Sequence, residues 1–128
     1  MKTVVITGST RGIGKGLASH FLARGCQVII SGRRQEDVDA VVAELGGAHG
    51  AEHVAGKACE ITDAGQLLGL WDASVTAFGR VDVWINNAGI SISRENLSDE
   101  DPEAIVRIVD INLWGQLLDN RVALRGMQ

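Results

Sequence analysis

The segment Thr7-Gly8-Ser9-Thr10-Arg11-Gly12-Ile13-Gly14 lies directly between an apolar run of strand length and a longer run of helical period. Its three glycines predict a sharp turn from strand to helix. Gly8 lets the chain turn, Gly12 has no Cβ to block an approaching pyrophosphate, and Gly14 permits close helix packing. The free N–H groups at the start of such a helix attract an anion. The segment therefore predicts a pyrophosphate-binding turn, with an unliganded glycine turn as the structural alternative.

The glycine spacing excludes some classes of nucleotide-binding protein. It reads G-x-x-x-G-x-G, whereas the phosphate-binding loop of kinases and ATPases needs G-x-x-x-x-G-K-[ST]. Lys15 does not stand at that spacing. A kinase or ATPase is therefore disfavoured.

Strand-like and helix-like segments alternate along the whole chain. The predicted strands span residues 3–7, 27–31, 53–58 and 81–85, and each is followed by a helical pattern. We expect Gly25, Gly46-Gly47 and Gly79 to end the first three helices. Pro102 is expected to begin a long last helix, whose apolar stripe comprises Ile105, Ile108, Val109, Leu113, Leu117 and Leu118. The pattern predicts an α/β fold with a doubly wound parallel sheet in a single domain over residues 1–128.

Two features predict that this domain is incomplete. The fourth strand is expected to be an uncovered apolar edge, which native proteins usually cover or charge. The last helical pattern continues to Gln128 with no strand after it. We therefore expect a sheet truncated after the fourth strand and the long helix that follows.

Composition narrows the possible partners. Sixteen Gly against one Pro, without a low-complexity run, argue against a disordered or fibrous chain. A net charge of −4 with both signs interspersed gives no basic face for nucleic acid. No apolar run approaches the roughly 20 residues of a membrane span, and the N-terminus lacks the h-region of a signal peptide. We expect a cytoplasmic protein.

No metal site is expected. Cys26 and Cys59 are predicted to be free, small core residues. His20, His49 and His53 are scattered over different predicted elements without ligand spacing.

Two motifs together carry a family resemblance. The Thr7–Gly14 segment, with Asn86-Asn87-Ala88-Gly89 after the fourth strand, resembles the short-chain dehydrogenase/reductase family. Asp110-Ile111-Asn112 resembles a third element of that family. The strand Val83-Trp84-Ile85 resembles its chlorophyll(ide) b reductase branch. The resemblance implies a Rossmann-type sheet that binds a nicotinamide dinucleotide.

The same resemblance implies which residues bind the cofactor. Glu60 and Ile61 would lie beside the adenine, where the family often has Asp followed by an apolar residue. Asn86 is expected to be structural and to tie neighbouring strands together through its amide. The implied ligands from the glycine loop and the wall beside the adenosine ribose are Gly8, Ser9, Thr10, Arg11, Gly12, Ile13, Gly14, Asn87, Ala88 and Gly89.

The end of the second strand predicts the choice of cofactor. A carboxylate there hydrogen-bonds the ribose of NAD, whereas a cation accepts the 2′-phosphate of NADP. This chain has Ser31-Gly32-Arg33-Arg34, with no acid in that stretch to repel the phosphate. Arg33 offers a bidentate fork, and Arg11 resembles the loop arginine of NADP-preferring family members. The prediction is NADP (NADPH) over NAD, with solvated surface arginines as the alternative for Arg33 and Arg34.

The resemblance extends to only one catalytic residue. It implies that Asn112 supports a proton relay through a water, but the sequence contains no Tyr for the family's Tyr-x-x-x-Lys pair. We expect that pair, and a preceding Ser, beyond Gln128 in a longer parent protein. This parent would be an NADP-dependent oxidoreductase that transfers a hydride between the nicotinamide and a carbonyl or alcohol substrate, while the 128-residue chain alone would be inactive.

Two alternatives from other functional classes remain open. One is a non-catalytic NADP-binding or regulatory module. The other is an interaction protein that self-associates through its last helix and its edge strand. In either case the exposed last helix predicts a homo-oligomer.

Overall fold

The computed structural model describes residues 1–90 and 97–128. Within them, four strands form one sheet in the order β3-β2-β1-β4, and every neighbouring pair is parallel. In the central register Val5 pairs with Ile29 on one side and with Trp84 on the other. The strands are β1 (Thr3–Ile6), β2 (Gln27–Ile30), β3 (Val54–Gly56) and β4 (Val83–Ile85). The predicted α/β fold with a doubly wound, Rossmann-type sheet is confirmed.

Helices cover both faces of the sheet. Because successive side chains of a strand point to opposite faces, Val4 and Ile6 pack on one helical layer while Val5 packs on the other. The first layer contains α1 (Gly12–Ala23) and α2 (Gln35–His49). The second contains α3 (Ala64–Phe78), a π-helical segment (Asp110–Gly115) and α5 (Gln116–Gly126). A further helix, α4 (Pro102–Val109), leads into the π-helical segment and has no buried residue. Short 3₁₀ turns lie at Ala51–His53 and Leu97–Asp99.

The predicted helix ends at Gly79 and Pro102 are confirmed, and an aspartate caps the N-terminus of each of these two helices. Asp63 caps α3 by accepting a hydrogen bond from the Gln66 backbone N–H at 3.1 Å. Gly79 ends that helix in the left-handed region, with φ of +79°. Pro102 begins α4, where Asp101 is the cap.

The predicted end of α2 at Gly46-Gly47 is wrong. The helix continues to His49 and ends at Gly50, whose φ is +104°. Gly46 is buried, and a Cβ there would lie 3.3 Å from the Cα of Ala51. Its glycine therefore permits close packing of the following turn against the helix and does not end it.

The first turn of α1 and the last helical stretch both expose apolar side chains. Ile13 belongs to the first turn of α1 and is 78% exposed. On the last helical stretch, Val109, Leu113 and Leu117 are all about half exposed. In the part of the chain that the structure describes, nothing covers this side of the helix, and β4 pairs with β1 alone.

The helices among residues 1–90 and 97–128 do not meet the requirements of a membrane span. None of them is both long and apolar enough to cross a bilayer.

Candidate functional site

The loop between β1 and α1 makes the sharp turn that its glycines predict. Gly8 has a φ of +63°, and a Cβ on it would lie 2.7 Å from the Cα of Ala88. Gly14 is packed equally closely, because a Cβ there would lie 2.4 Å from the Gly8 carbonyl oxygen. Gly12 differs, since its φ is +58° but a Cβ would meet no atom within 4 Å. Gly8 and Gly14 thus close the turn, while Gly12 leaves open space above it.

The start of α1 is suited to an anion. The residue at its N-cap, Arg11, makes no side-chain capping hydrogen bond, and the first turn contains no acidic residue. The first backbone N–H groups of the helix and the positive end of its dipole therefore lack an acidic counterpart within the helix.

Ser9 joins this loop to the end of β2. Its buried hydroxyl donates to the Ile6 carbonyl oxygen at 2.8 Å and accepts from the Ser31 N–H at 2.9 Å. Next to it, a Cβ on Gly32 would lie 2.7 Å from the Thr10 methyl group. The side chain of Ser9 is therefore committed to holding the loop against the strand.

The two arginines after β2 have different surroundings. Arg34 forms an ion pair with Glu36 at 2.8 Å and lies 3.9 Å from Asp37. The Glu36 hydrogen bond raises the pKa of Arg34 above its ordinary value, and the Arg34 hydrogen bond lowers the pKa of Glu36. Arg33 is exposed and has no ion-pair partner among the described residues. Of the two, Arg33 is the one available to a ligand.

The segment after β3 forms the floor of the site. Cys59 and Ile61 are buried, at 2% and 5% exposure, and Glu60 between them is half-buried. Burial is the largest cause that raises the pKa of the Cys59 thiol to about 12. The thiol is therefore neutral at physiological pH and acts as an apolar surface.

The segment after β4 forms the opposite wall. The Asn87 side-chain amide donates to the Thr7 and Gly8 carbonyl oxygens at 3.2 and 2.9 Å. The Thr7 hydroxyl accepts from the backbone N–H groups of Asn87 and Ala88, both at 3.1 Å. These bonds hold the wall against the glycine loop.

The structural role expected of Asn86 is filled by its neighbour. Asn86 accepts from the Trp84 indole at 3.0 Å and hydrogen-bonds Asn120 of α5. Asn87, one residue later, is the side chain that connects the ends of two neighbouring strands. Because successive residues point to opposite sides, the two adjacent amides have separate roles.

Asn112 lies in the π-helical segment and contacts the same wall. Its amide donates to the Ile90 carbonyl oxygen at 2.6 Å, and its oxygen accepts from the Ile90 N–H at 2.8 Å. Gln116, which the sequence did not single out, donates to the Ala88 carbonyl oxygen at 2.6 Å. Together the two side chains connect the last helix to the segment after β4.

These elements enclose one cleft of about 470 Å³ at the carboxyl ends of all four strands. It brings together most of the predicted ligands: Gly8, Thr10, Arg11, Gly12, Arg33, Arg34, Glu60, Ile61, Asn87, Ala88 and Gly89. Ser9, Ile13, Gly14 and Asn112 are not part of its lining. Sequence reasoning missed five further lining residues, namely Gly32, Asp37, Cys59, Ile90 and Ile111.

Asp37 is the most informative of the missed residues. The sequence stretch Ser31 to Arg34 contains no acid, but the first turn of α2 brings this carboxylate to the cleft. The cleft therefore includes an acid that lies outside the stretch from which the cofactor is predicted. An amphipathic pattern gives no sign that a first-turn residue faces back toward the preceding strand.

Comparison with known proteins identifies relatives over nearly the whole chain. A family model described as short chain dehydrogenase matches residues 2–128. Chlorophyll(ide) b reductase NOL, chloroplastic, from Oryza sativa subsp. japonica is 35% identical over 126 residues, which cover 98% of this chain and 37% of the relative. The predicted resemblance to that branch is confirmed.

Solved structures also match nearly the whole chain. The 3-ketoacyl-(acyl-carrier-protein) reductase from Brucella melitensis, complexed with NADH, has a TM-score of 0.88 at 31% identity. ElxO with NADP bound has a TM-score of 0.88 at 32% identity. In both cases the match covers 98% of this chain, and it covers 49% and 50% of the solved chains. The chain thus spans about half the length of these structures.

Proposed function

The chain belongs to the short chain dehydrogenase family, and on that premise we propose that it forms the dinucleotide-binding part of an NADP-dependent oxidoreductase. The observation that carries the proposal is the cleft, which meets the carboxyl ends of all four strands and the uncapped start of α1. Ligands of open parallel sheets bind at this end. Gly12 lines the cleft, and no atom lies within 4 Å of the position that its Cβ would occupy. The absence of a side chain there leaves room for a pyrophosphate close to the backbone.

The charges around the cleft favour NADP. Arg33 and Arg11 are exposed, line the cleft and have no ion-pair partner among the described residues. Asp37 opposes them, and Arg34, 3.9 Å from it, is shared with Glu36. A 2′-phosphate near β2 would therefore meet two available guanidinium groups. Since one related structure holds NADP and another holds NADH, the family alone does not make this choice.

The chemistry belongs to a longer parent protein. When bound, the nicotinamide would supply or accept a hydride at a carbonyl or alcohol carbon of the substrate. In this chain the glycine loop and α1 would hold the pyrophosphate, and Asn112 would support the proton relay. The sequence contains no Tyr, so we propose that this chain alone has no dehydrogenase activity. The same observation favours the second candidate, an NADP-binding module without turnover.

Two further parts of the proposal concern the whole protein. Exposed apolar residues on the last helix favour a homo-oligomer. A cytoplasmic location stays a prediction, because the rice relative is named as a chloroplast protein.

Calorimetric titration of the purified chain with NADP, NADPH and NAD tests the cofactor proposal. We expect binding of all three, with NADP and NADPH the tighter ligands. Absence of any binding would overturn the proposed function, and equal affinity for NAD would overturn the NADP preference. Sustained NADPH oxidation with a carbonyl substrate by the contaminant-free chain would contradict its expected inactivity.

A further inference from the structure

The backbone that follows β4 is held by side chains from two directions. Just after β1, the Thr7 hydroxyl accepts from the N–H groups of Asn87 and Ala88, both at 3.1 Å. On α5, the Gln116 amide donates to the Ala88 carbonyl oxygen at 2.6 Å. The backbone pairing of β4 with β1 has already ended at Ile85. Beyond that point the segment depends on side chains for its conformation.

Gly89 lies between two peptide groups that are each held at one end. The peptide between Ala88 and Gly89 has its carbonyl oxygen bonded to Gln116. The peptide between Gly89 and Ile90 has its N–H bonded to the Asn112 oxygen, at 2.8 Å. A trans peptide is planar, with its C=O and N–H on opposite sides, so each bond also fixes the direction of the group at the other end. Gln116 therefore directs the Gly89 N–H, and Asn112 directs the Gly89 C=O.

These two backbone groups of Gly89 are available to a ligand. Gly89 is exposed and lines the cleft. Within residues 1–90 and 97–128, neither its N–H nor its C=O has a hydrogen-bond partner. Backbone groups that the protein itself leaves unpaired bond water or a ligand. Gly89 therefore offers a molecule in the cleft one donor and one acceptor, each of fixed direction.

We propose that Gln116 is a positioning residue for the cleft, which holds the Ala88 carbonyl oxygen so that the Gly89 N–H is presented to the bound dinucleotide. This inference rests on the proposed function, because that function supplies the ligand. Gln116 is half-buried and does not line the cleft. It acts through the 88–89 peptide and does not touch the ligand.

Two features of the fold suit Gln116 to this role. The helical stretch approaches the cleft floor closely, since a Cβ on Gly115 would lie 2.7 Å from the Cδ1 of Ile61. The atom that faces Gln116 is the carbonyl oxygen of Ala88, which carries no proton, so the amide nitrogen and not the amide oxygen must point to it. A side chain without a donor would therefore leave this carbonyl oxygen unbonded.

The first measurement is the Kd for NADP, with the free energy of unfolding determined alongside it. Gln116→Leu removes the donor with little change in size and should raise the Kd about tenfold. Gln27→Leu is the matched control, because Gln27 is also half-buried but bonds Thr3 at the opposite end of the sheet. It should lose stability and keep its Kd. An unchanged Kd in Gln116→Leu, or an equal rise in both variants, would overturn the proposal.

Gln116→Glu tests whether the donated proton is what matters. The new side chain has nearly the same shape, but its ionised form can only accept and repels the Ala88 carbonyl oxygen, whereas its protonated form can donate. Its ordinary pKa of about 4.3 is raised by the facing carbonyl oxygen and by partial burial. The ratio of variant to wild-type Kd should be about tenfold at pH 8 and about threefold or less at pH 5. A ratio that does not change with pH would overturn the proposal.

Other titrating groups near this position are common to both proteins, so the ratio isolates the introduced carboxyl. Asp119, three residues further along α5, is fully buried, and burial raises its pKa to about 7. Asp110 in the π-helical segment is exposed. The Cys59 thiol after β3, with a pKa of about 12, stays neutral throughout. The wall itself, residues 87–90, contains no titratable side chain.

The amide ¹⁵N resonance of Gly89 tests the positioning role without any ligand. This nitrogen shares a peptide group with the Ala88 carbonyl oxygen, so loss of the donor in Gln116→Leu should shift the resonance more than Gln27→Leu does. If the wild type binds no dinucleotide, the proposed function fails, and an unmoved Gly89 resonance would separately overturn the positioning role. Should Gln116→Leu not fold, the change of this resonance in Gln116→Glu between pH 8 and 5, absent from the wild type, decides it.

Discussion

The side-chain amide of Asn87 donates to the carbonyl oxygen of Gly8 at 2.9 Å, across 79 residues of sequence. A second bond from the same amide nitrogen reaches the Thr7 carbonyl oxygen at 3.2 Å. The nitrogen also lies 2.5 Å from the position that a Cβ on Gly14 would occupy. One side chain therefore contacts both the closely packed start of α1 and the end of β1, in addition to the backbone pairing of β4 with β1.

Asn87→Ala should lower the free energy of unfolding by about 2 kcal/mol, because two half-buried carbonyl oxygens lose their donor. Asn86→Ala is the matched control and should cost less than half as much, since its partners are the Trp84 indole and the exposed Asn120. Urea denaturation measures both values. A larger loss for Asn86→Ala would restore the role that the sequence suggested for it.

The contrast between these two asparagines shows what the sequence could predict. The motif Asn86-Asn87 at the end of an apolar strand indicated a site at the sheet edge, and the cleft is there. Which amide connects the strands depends on the direction in which each side chain leaves β4. That direction depends on strand register, which the motif does not contain.

Other differences between the prediction and the structure also arise where the position of a residue depends on the folded chain. The strand and helix order followed from local periodicity, which short-range sequence determines. Asp37 reaches the cleft because of where α2 begins, and the π-helical segment at Asp110–Gly115 arises within a continuous helical pattern. Asp119 had a signal that was missed, because it lies eight residues after the buried Ile111 and three before the buried Val122, on the inner side of the helix.

Gly12→Val should abolish dinucleotide binding, with affinity reduced at least about 100-fold. The substitution fills the open space of the turn and forces a branched residue to a φ of +58°. Gly16→Val is the control, since Gly16 is exposed on α1 with no atom within 4 Å of its Cβ position. Calorimetry with NADP should show near wild-type affinity for the control. Wild-type affinity in a folded Gly12→Val protein would remove the loop from the site.

Arg33→Asp should lower the ratio of NADP to NAD affinity by about 30-fold, as expected for loss of a charge-assisted hydrogen bond of roughly 2 kcal/mol. The new carboxylate repels a 2′-phosphate and offers an acceptor to a ribose hydroxyl. Arg24→Asp, at the exposed end of α1, changes the net charge equally but lies outside the cleft. Competition titrations give the ratio, and an unchanged value would identify Arg33 as a solvated surface residue.

The stability of the chain should depend on the charge of Asp119. Its pKa rises from 3.8 to about 7 on folding, so the native state holds a proton that the unfolded state has lost between these values. The free energy of unfolding should therefore fall as the pH rises from about 4 through 7, and stay low above it. Asp119→Asn should remove this dependence and stabilise the chain at pH 8, by an amount on the order of 4 kcal/mol at most. Thermal unfolding scans from pH 4 to 9 measure it, and parallel profiles for the two proteins would contradict the assignment.

The exposed stripe of the last helix predicts self-association. Val106, Val109, Leu113, Leu117 and Leu124 are each between 51% and 64% exposed, and their spacing places them along one side of the helical stretch. Contiguous apolar surface of this kind is uncommon on monomers and is buried when two copies meet. Light scattering should therefore show a mass above that of the monomer, increasing with concentration.

Leu113→Glu should shift the protein toward monomer, because burial of its carboxylate opposes association. Leu68→Glu is the control, since Leu68 is 55% exposed on α3 and does not belong to the stripe. A wild-type chain that stays monomeric at high concentration would show that this surface does not drive association.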